Sequence, residues 1–187
     1  VANDYDVLAD EFAASRDPNI GAATVRVWAQ SLPPGAAVLD LGCGTGVPIT
    51  RALLDQGLTV HGVDASRAMI SAFRANFPDV PVACESVEAS VFFGRTFGGI
   101  LAWGLVFLLP PAAQRALIRR AAAALEPGGR FLFTAPAPAC TWNDLLTGRP
   151  SISLGASAYR EQLTEAGLRL VAEYDDEGDN HYFESRK

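Results

Sequence analysis

Short runs of adjacent apolar residues alternate along this chain with stretches in which apolar residues return every three or four positions. Val38, Leu39 and Leu41, and the segments 59–64, 80–84, 100–103 and 130–135, have the continuous apolar character of strands buried on both faces. Between them, 47–56, 67–76 and 112–125 show helical spacing, and Gly57 stands where a left-handed C-terminal residue closes the first of these. Two more helices are predicted ahead of the first strand: 4–16, with Val7, Leu8 and Phe12 as its stripe, and 21–30, ended by Ser31-Leu32-Pro33-Pro34-Gly35. This alternation predicts an α/β fold, a doubly wound, mostly parallel sheet with helices on both faces. Right-handed crossovers bring every loop that follows a strand to one edge, where open α/β sheets bind ligands.

Beyond residue 136 the pattern breaks. Segment 137–158 mixes proline, glycine and serine with Trp142, Leu145, Leu146, Ile152 and Leu154, and it is too long for an ordinary connection. Its apolar content predicts an ordered cap over the strand-end edge. A final helix over 159–166, stopped by Gly167, precedes a strand at 168–174. The turn Glu177-Gly178-Asp179 then returns His181-Tyr182-Phe183 as an antiparallel strand.

At 187 residues, 49% of them hydrophobic, the chain has the size and core content of a single domain, expected to span 1–187. The formal charge of −6, with Asp175, Asp176, Glu177 and Asp179 clustered, repels phosphate backbones, so no nucleic-acid partner is expected. Cys43, Cys84 and Cys140 are odd in number and far apart, which predicts a reducing compartment and no metal cluster. No leader-like start and no apolar run of the ~18 residues needed to span a bilayer are seen, so a cytoplasmic protein without a membrane partner is expected. His61, inside a predicted strand, reads as filler.

The chemistry concentrates in residues 38–46, Val-Leu-Asp-Leu-Gly-Cys-Gly-Thr-Gly. Glycines at alternate positions after a buried strand supply positive φ or bare backbone where a ligand approaches and a helix starts. The dinucleotide fingerprint needs one more residue before its last glycine. Asp40 also puts negative charge beside the turn, which suits a cationic ammonium or sulfonium ligand better than a pyrophosphate. Asp64, closing the next strand, can accept two hydrogen bonds from a vicinal diol such as a ribose.

The nonapeptide resembles motif I of the class I S-adenosylmethionine-dependent methyltransferases. Residues 60–66, Val-His-Gly-Val-Asp-Ala-Ser, resemble that family's second strand; 97–109, and Leu125-Glu126-Pro127-Gly128-Gly129-Arg130 leading into 131–133, resemble its fourth and fifth. The resemblance covers roughly 38–136. It implies a Rossmann-like seven-stranded sheet whose antiparallel last strand inserts beside the fifth, with S-adenosylmethionine as cofactor. The implied cofactor residues are Asp40, Gly42, Cys43, Gly44, Gly46, Asp64 and Ala65, with Met69 against the adenine. The loop Glu85, Ser86 and Val87 would read the base; Ser86 stands where the family commonly has an aspartate, so Glu85 or Glu88 takes over the contact to the adenine amine. Residues 1–34 resemble a helical lid, with Tyr5 and Phe12 covering the cofactor and Arg16 pairing with its methionine carboxylate. Trp103 falls where the transferred methyl lies. Ala102-Trp103-Gly104-Leu105 lacks the Asn/Asp-Pro-Pro-aromatic signature of aminoadenine methyltransferases, which removes support for nucleic-acid bases as acceptors.

The implied reaction moves a sulfonium methyl group to a small-molecule acceptor, largely by alignment and without a metal. Trp103, Trp142, Leu154, His181 and Tyr182 are the candidate acceptor residues. His181, expected in a turn at the active edge, is the candidate catalytic base. Two rivals are a noncatalytic S-adenosylmethionine-binding module and a nicotinamide-dependent oxidoreductase; glycine spacing and Asp40 argue against the second.

Overall fold

Residues 19–144 and 147–187 are described in the computed structural model of this chain. Tyr5, Phe12 and Arg16 of the expected lid, and Leu145 and Leu146, lie outside them. The first described helix, α1 (Ala22–Ala29), buries Val25, Trp28 and Ala29. Then come β1 (Ala37–Leu41), α2 (Ile49–Asp55), β2 (Thr59–Asp64), α3 (Arg67–Asn76), β3 (Val82–Cys84), β4 (Phe97–Ala102), α4 (Pro111–Ala124) and β5 (Leu125–Thr134). The chain ends with β6 (Cys140–Asn143), β7 (Pro150–Ser153), α5 (Ala156–Glu165), β8 (Arg169–Asp175) and β9 (His181–Arg186).

Seven strands form the main sheet in the order β3-β2-β1-β4-β5-β9-β8. β1 to β5 are parallel, and β9 runs antiparallel to both of its neighbours, as the sequence implied. Successive side chains of a strand point to opposite faces. Leu39, Leu41, Ile100, Phe131 and Phe133 therefore join the core beneath α4 and α5, while Val38, Val60, Leu101 and Leu132 join the one beneath α1 and α2. From α3, Ile70 and Phe73 pack with Phe77 beside α2.

The differences from the sequence expectation have local causes. β4 begins at Phe97, ahead of the predicted 100, because Gly98 and Gly99 let the strand continue beneath α1. A Cβ on Gly99 would lie 2.8 Å from Leu32 and 3.0 Å from Trp28. β9 runs on past Phe183 because the buried carboxylate of Glu184 meets Arg130 of β5 at 2.5 Å. Part of the expected cap is a two-stranded hairpin, β6 with β7, in which Trp142 lies opposite Ser151. Such short strands, one of them beginning at Pro150, leave little pattern to read.

A buried amide ties this hairpin to the sheet edge. Gln114 of α4 donates from Nε2 to the carbonyls of Leu109 and Ile152, both at 2.8 Å, and its Oε1 accepts the Tyr159 hydroxyl at 2.7 Å. The Tyr159 oxygen in turn accepts the Leu154 amide at 3.2 Å. Tyr159→Phe keeps the ring but leaves Gln114 Oε1 and that amide without this hydroxyl. Its unfolding free energy is expected to fall by about 1–3 kcal/mol, read in urea as a lower midpoint with an unchanged slope.

Candidate functional site

The C-terminal ends of β1, β2 and β4 and the loop after β3 open onto a cavity of about 300 Å³. Its floor is the turn between β1 and α2, where Gly42, Gly44 and Gly46 have φ of 71°, 54° and 82°. A side chain at two of these positions would crowd its neighbours. A Cβ on Gly46 would lie 2.4 Å from the Phe77 ring, and one on Gly42 would lie 3.1 Å from Leu105. The amides of Gly42 and Cys43 bond to the Val63 carbonyl, which anchors the turn to β2.

Asp64 holds two loops together. Its Oδ2 accepts the Gly44 amide at 2.9 Å and its Oδ1 accepts the Ser66 amide at 2.8 Å. Ser66 then caps α3, its hydroxyl accepting the Met69 amide at 3.2 Å, which sets Met69 in the cavity wall. Asp64 lines the cavity, and a carboxylate can accept hydrogen bonds from ligand hydroxyls.

Asp40 is fully buried and accepts the Thr50 hydroxyl at 2.7 Å. Burial pushes its carboxyl up to about 7, the Thr50 bond opposes the rise, and the charge of Asp64 adds to it. Burial, and then the same two carboxylates, also hold the Cys43 thiol well above its ordinary range, which makes it an inert wall group. After β3 the wall is Ser86, Val87 and Glu88, with the Glu88 amide bonded to the Ser86 hydroxyl at 3.1 Å.

The far wall is apolar: Trp103, Leu105, Leu108 and Leu109. The Trp103 indole N–H donates to the Tyr182 hydroxyl at 2.7 Å, and Tyr182 donates to Asp176 Oδ2 at 2.7 Å. Burial and that carboxylate raise the Tyr182 phenol above its ordinary range. Burial would raise Asp176 too, but the bonds from Tyr182 and Asn180 outweigh it and hold Asp176 low. Gly21, with φ of 79°, packs against the same indole: a Cβ there would lie 2.8 Å from its nitrogen. Acidic groups at one end and aromatic and aliphatic walls at the other suit a nucleoside that carries a cation.

Of the residues named from sequence, Asp40, Gly42, Cys43, Gly44, Asp64, Ala65, Met69, Ser86, Val87 and Trp103 line this cavity. Gly46 shapes the turn without lining it, Glu85 gives way to Glu88, and Tyr5 and Arg16 lie outside the described residues. The acceptor set is more dispersed. Trp142 sits on Phe107 at a ring separation of 5.3 Å, beside the cavity rather than in its wall, and Leu154 packs against the core. Tyr182 is buried behind Trp103.

His181, the candidate base, does not line the cavity. It opens β9 opposite Asp175, with Nδ1 2.7 Å from Asp175 and Nε2 3.3 Å from Glu173, and its ring meets Phe183 edge-on. Strand pairing thus gives both ring nitrogens carboxylate partners. Leu105 and Leu109 were missed from sequence, because a short apolar run does not reveal which of its members face a cavity.

Residues 38–129 match the family described as a methyltransferase domain. A cypemycin N-terminal methyltransferase from a Streptomyces species is 36% identical over 117 residues, 60% of this chain and 47% of that protein. A ribosomal RNA small subunit methyltransferase C from Chromohalobacter salexigens is 37% identical over 113 residues, 56% of this chain and 33% of that protein. The chain thus spans less than half the length of these curated relatives. In fold it is similar to the 1,6-didemethyltoxoflavin-N1-methyltransferase of Burkholderia thailandensis, whose crystal structure holds 1,6-didemethyltoxoflavin and S-adenosylhomocysteine. The TM-score is 0.72 at 22% identity, covering 100% of this chain and 90% of that one. The matched segment contains the glycine turn, Asp64, the 86–88 loop and Trp103, and the strand order is that of the fold it implies. Residues 38–129 thus match a methyltransferase domain, and the sheet has the class I methyltransferase fold.

Proposed function

We propose that this chain binds S-adenosylmethionine and transfers its sulfonium methyl group to a small-molecule acceptor. The observation that carries the reading is one cavity in which Asp64, fixed against the glycine turn, is combined with the Trp103 and Leu105 wall beyond β4. Asp64 accepts the ribose hydroxyls, Met69 and Val87 offer apolar surface to the purine, and Asp40 attracts the cationic end. The expected lid residues Tyr5 and Arg16 belong to this proposal, as partners of the methionine end. Among the described residues no lysine or arginine lines the cavity. That and the net charge of −6 favour a small acceptor over nucleic acid, and the reading places the reaction in the cytoplasm without a membrane partner.

In the transfer, the acceptor lone pair bonds to the methyl carbon while the carbon–sulfur bond breaks and its electron pair returns to sulfur. S-adenosylhomocysteine and the acceptor's released proton are left. Alignment of donor and acceptor supplies on the order of 7–11 kcal/mol of barrier reduction, so fixed walls matter more than a strong base. Trp103, held by Tyr182, is such a wall. The β6–β7 hairpin, with Trp142 on Phe107, borders the turn that carries Leu108, and we assign it to the acceptor side.

Calorimetry is expected to show binding of S-adenosylhomocysteine. Asp64→Asn, which keeps the shape but loses the charge, should weaken that binding about tenfold, the worth of a charge-assisted hydrogen bond. Equal affinity would move the ribose elsewhere. Incubation with methyl-labelled S-adenosylmethionine and pooled small metabolites should place label on a metabolite, and Trp142→Ala should lower that transfer while cofactor affinity holds. Binding without transfer would leave a cofactor-binding module. Ionised Asp40 attracts a cation, and a bound cation lowers the carboxyl pKa in return, so binding releases a proton. Affinity for S-adenosylmethionine should therefore rise as the pH climbs toward about 7 and level off above it, and Asp40→Asn should flatten that rise.

A further inference from the structure

Arg120 of α4 lies outside the cavity wall, yet its guanidinium is engaged with the loop that forms part of that wall. Nη1 donates to the carbonyls of Val87 and Glu88, the latter at 3.0 Å, and Nη2 donates to the carbonyl of Ser90. The guanidinium carbon also stands 4.4 Å from the centre of the Phe92 ring. Among the described residues its hydrogen bonds go to backbone carbonyls, not to a carboxylate.

The gripped loop has little regular structure of its own. β3 ends at Cys84, and the next element is a single helical turn, Phe92–Gly94, in which Phe92 and Phe93 have φ of 49° and 57°. Left-handed backbone is disfavoured for such side chains and persists only where surrounding contacts impose it. Hydrogen bonds within the loop are local: the Glu88 amide to the Ser86 hydroxyl, the Ala89 and Ser90 amides to the Ser86 carbonyl, and the Phe92 amide to the Ser90 hydroxyl. Arg120 ties that local knot to a long helix of the core. A planar fork with several donors can meet three carbonyls at once, which a single ammonium group does less well.

We propose that Arg120 is a positioning residue for the nucleoside end of the cavity. Holding the carbonyls of Val87, Glu88 and Ser90, it fixes Ser86, Val87 and Glu88 where they meet the base, so base selectivity depends on a side chain that does not touch the base. This role rests on the S-adenosylmethionine reading above.

The test compares the full-length chain with Arg120→Met and Arg120→Lys, using S-adenosylhomocysteine and S-inosylhomocysteine, which carries a carbonyl in place of the adenine amine. The wild type should prefer the adenine compound. Arg120→Met should weaken its binding about tenfold and bring the two affinities close together, and Arg120→Lys should recover part of the preference. Hydrogen exchange of the unliganded protein should quicken in residues 86–92 and hold elsewhere. Unchanged preference in Arg120→Met, or a parallel loss for both compounds with faster exchange across the whole fold, would overturn the role alone. A wild-type chain that binds neither compound would overturn the cofactor reading, and this role with it.

Discussion

The carboxylate of Asp64 is the contact on which the cavity depends. β1 and β2 are adjacent parallel strands, so the turns that leave them emerge side by side with exposed amides, and each begins a helix whose first N–H groups have no intrahelical acceptor. Asp64 answers one amide from each turn, at Gly44 and at Ser66. A single acidic residue thereby sets the separation of two loops and the start of α3. It does so in the wall of the cavity.

Around that contact, buried polar groups are arranged in closed pairs and chains. Thr50 donates to one oxygen of Asp40, Tyr182 bridges Trp103 and Asp176, and Gln114 is met on both its donor and acceptor sides. Buried polar groups left unmet are costly, so each chain fixes the element that carries it. The consequence is that cavity walls from distant parts of the sequence are rigidly placed. Trp103 is held from β9, the Leu109 carbonyl from α4, and Gly104 by the Thr134 hydroxyl of β5 at 2.8 Å. A methyl transfer governed by alignment needs that kind of wall.

Electrostatics divides the strand-end edge into two regions. Near the glycine turn, two carboxylates face the cavity in close proximity, and one of them, Asp40, carries a raised pKa because it is sealed from water. Near the β8–β9 hairpin, Arg160 forms two hydrogen bonds with Glu173 and holds that carboxyl low, and the His181 ring lies between Glu173 and Asp175. The first region has unbalanced charge that a cationic ligand can answer. In the second, both ring nitrogens of His181 are engaged by carboxylates, away from the cavity wall.

Much was legible from the sequence because it depends on short-range order. The glycine spacing, the acids at Asp40 and Asp64 and the strand–helix alternation each follow from neighbours in the chain, and they were enough to give the parallel part of the sheet and the floor of the cavity, while the place of the antiparallel strand came from the family resemblance. The remainder depends on contacts between residues far apart. The strand pairing that gives His181 its carboxylate partners, the Trp103–Tyr182 bond, the choice of Glu88 over Glu85, and the grip of Arg120 on the loop after β3 join segments whose patterns carry no mark of one another. Local pattern encodes which face of an element is apolar; only packing and register decide which polar side chain on that element meets which partner, because hydrogen bonds require ångström-scale placement that periodicity does not specify.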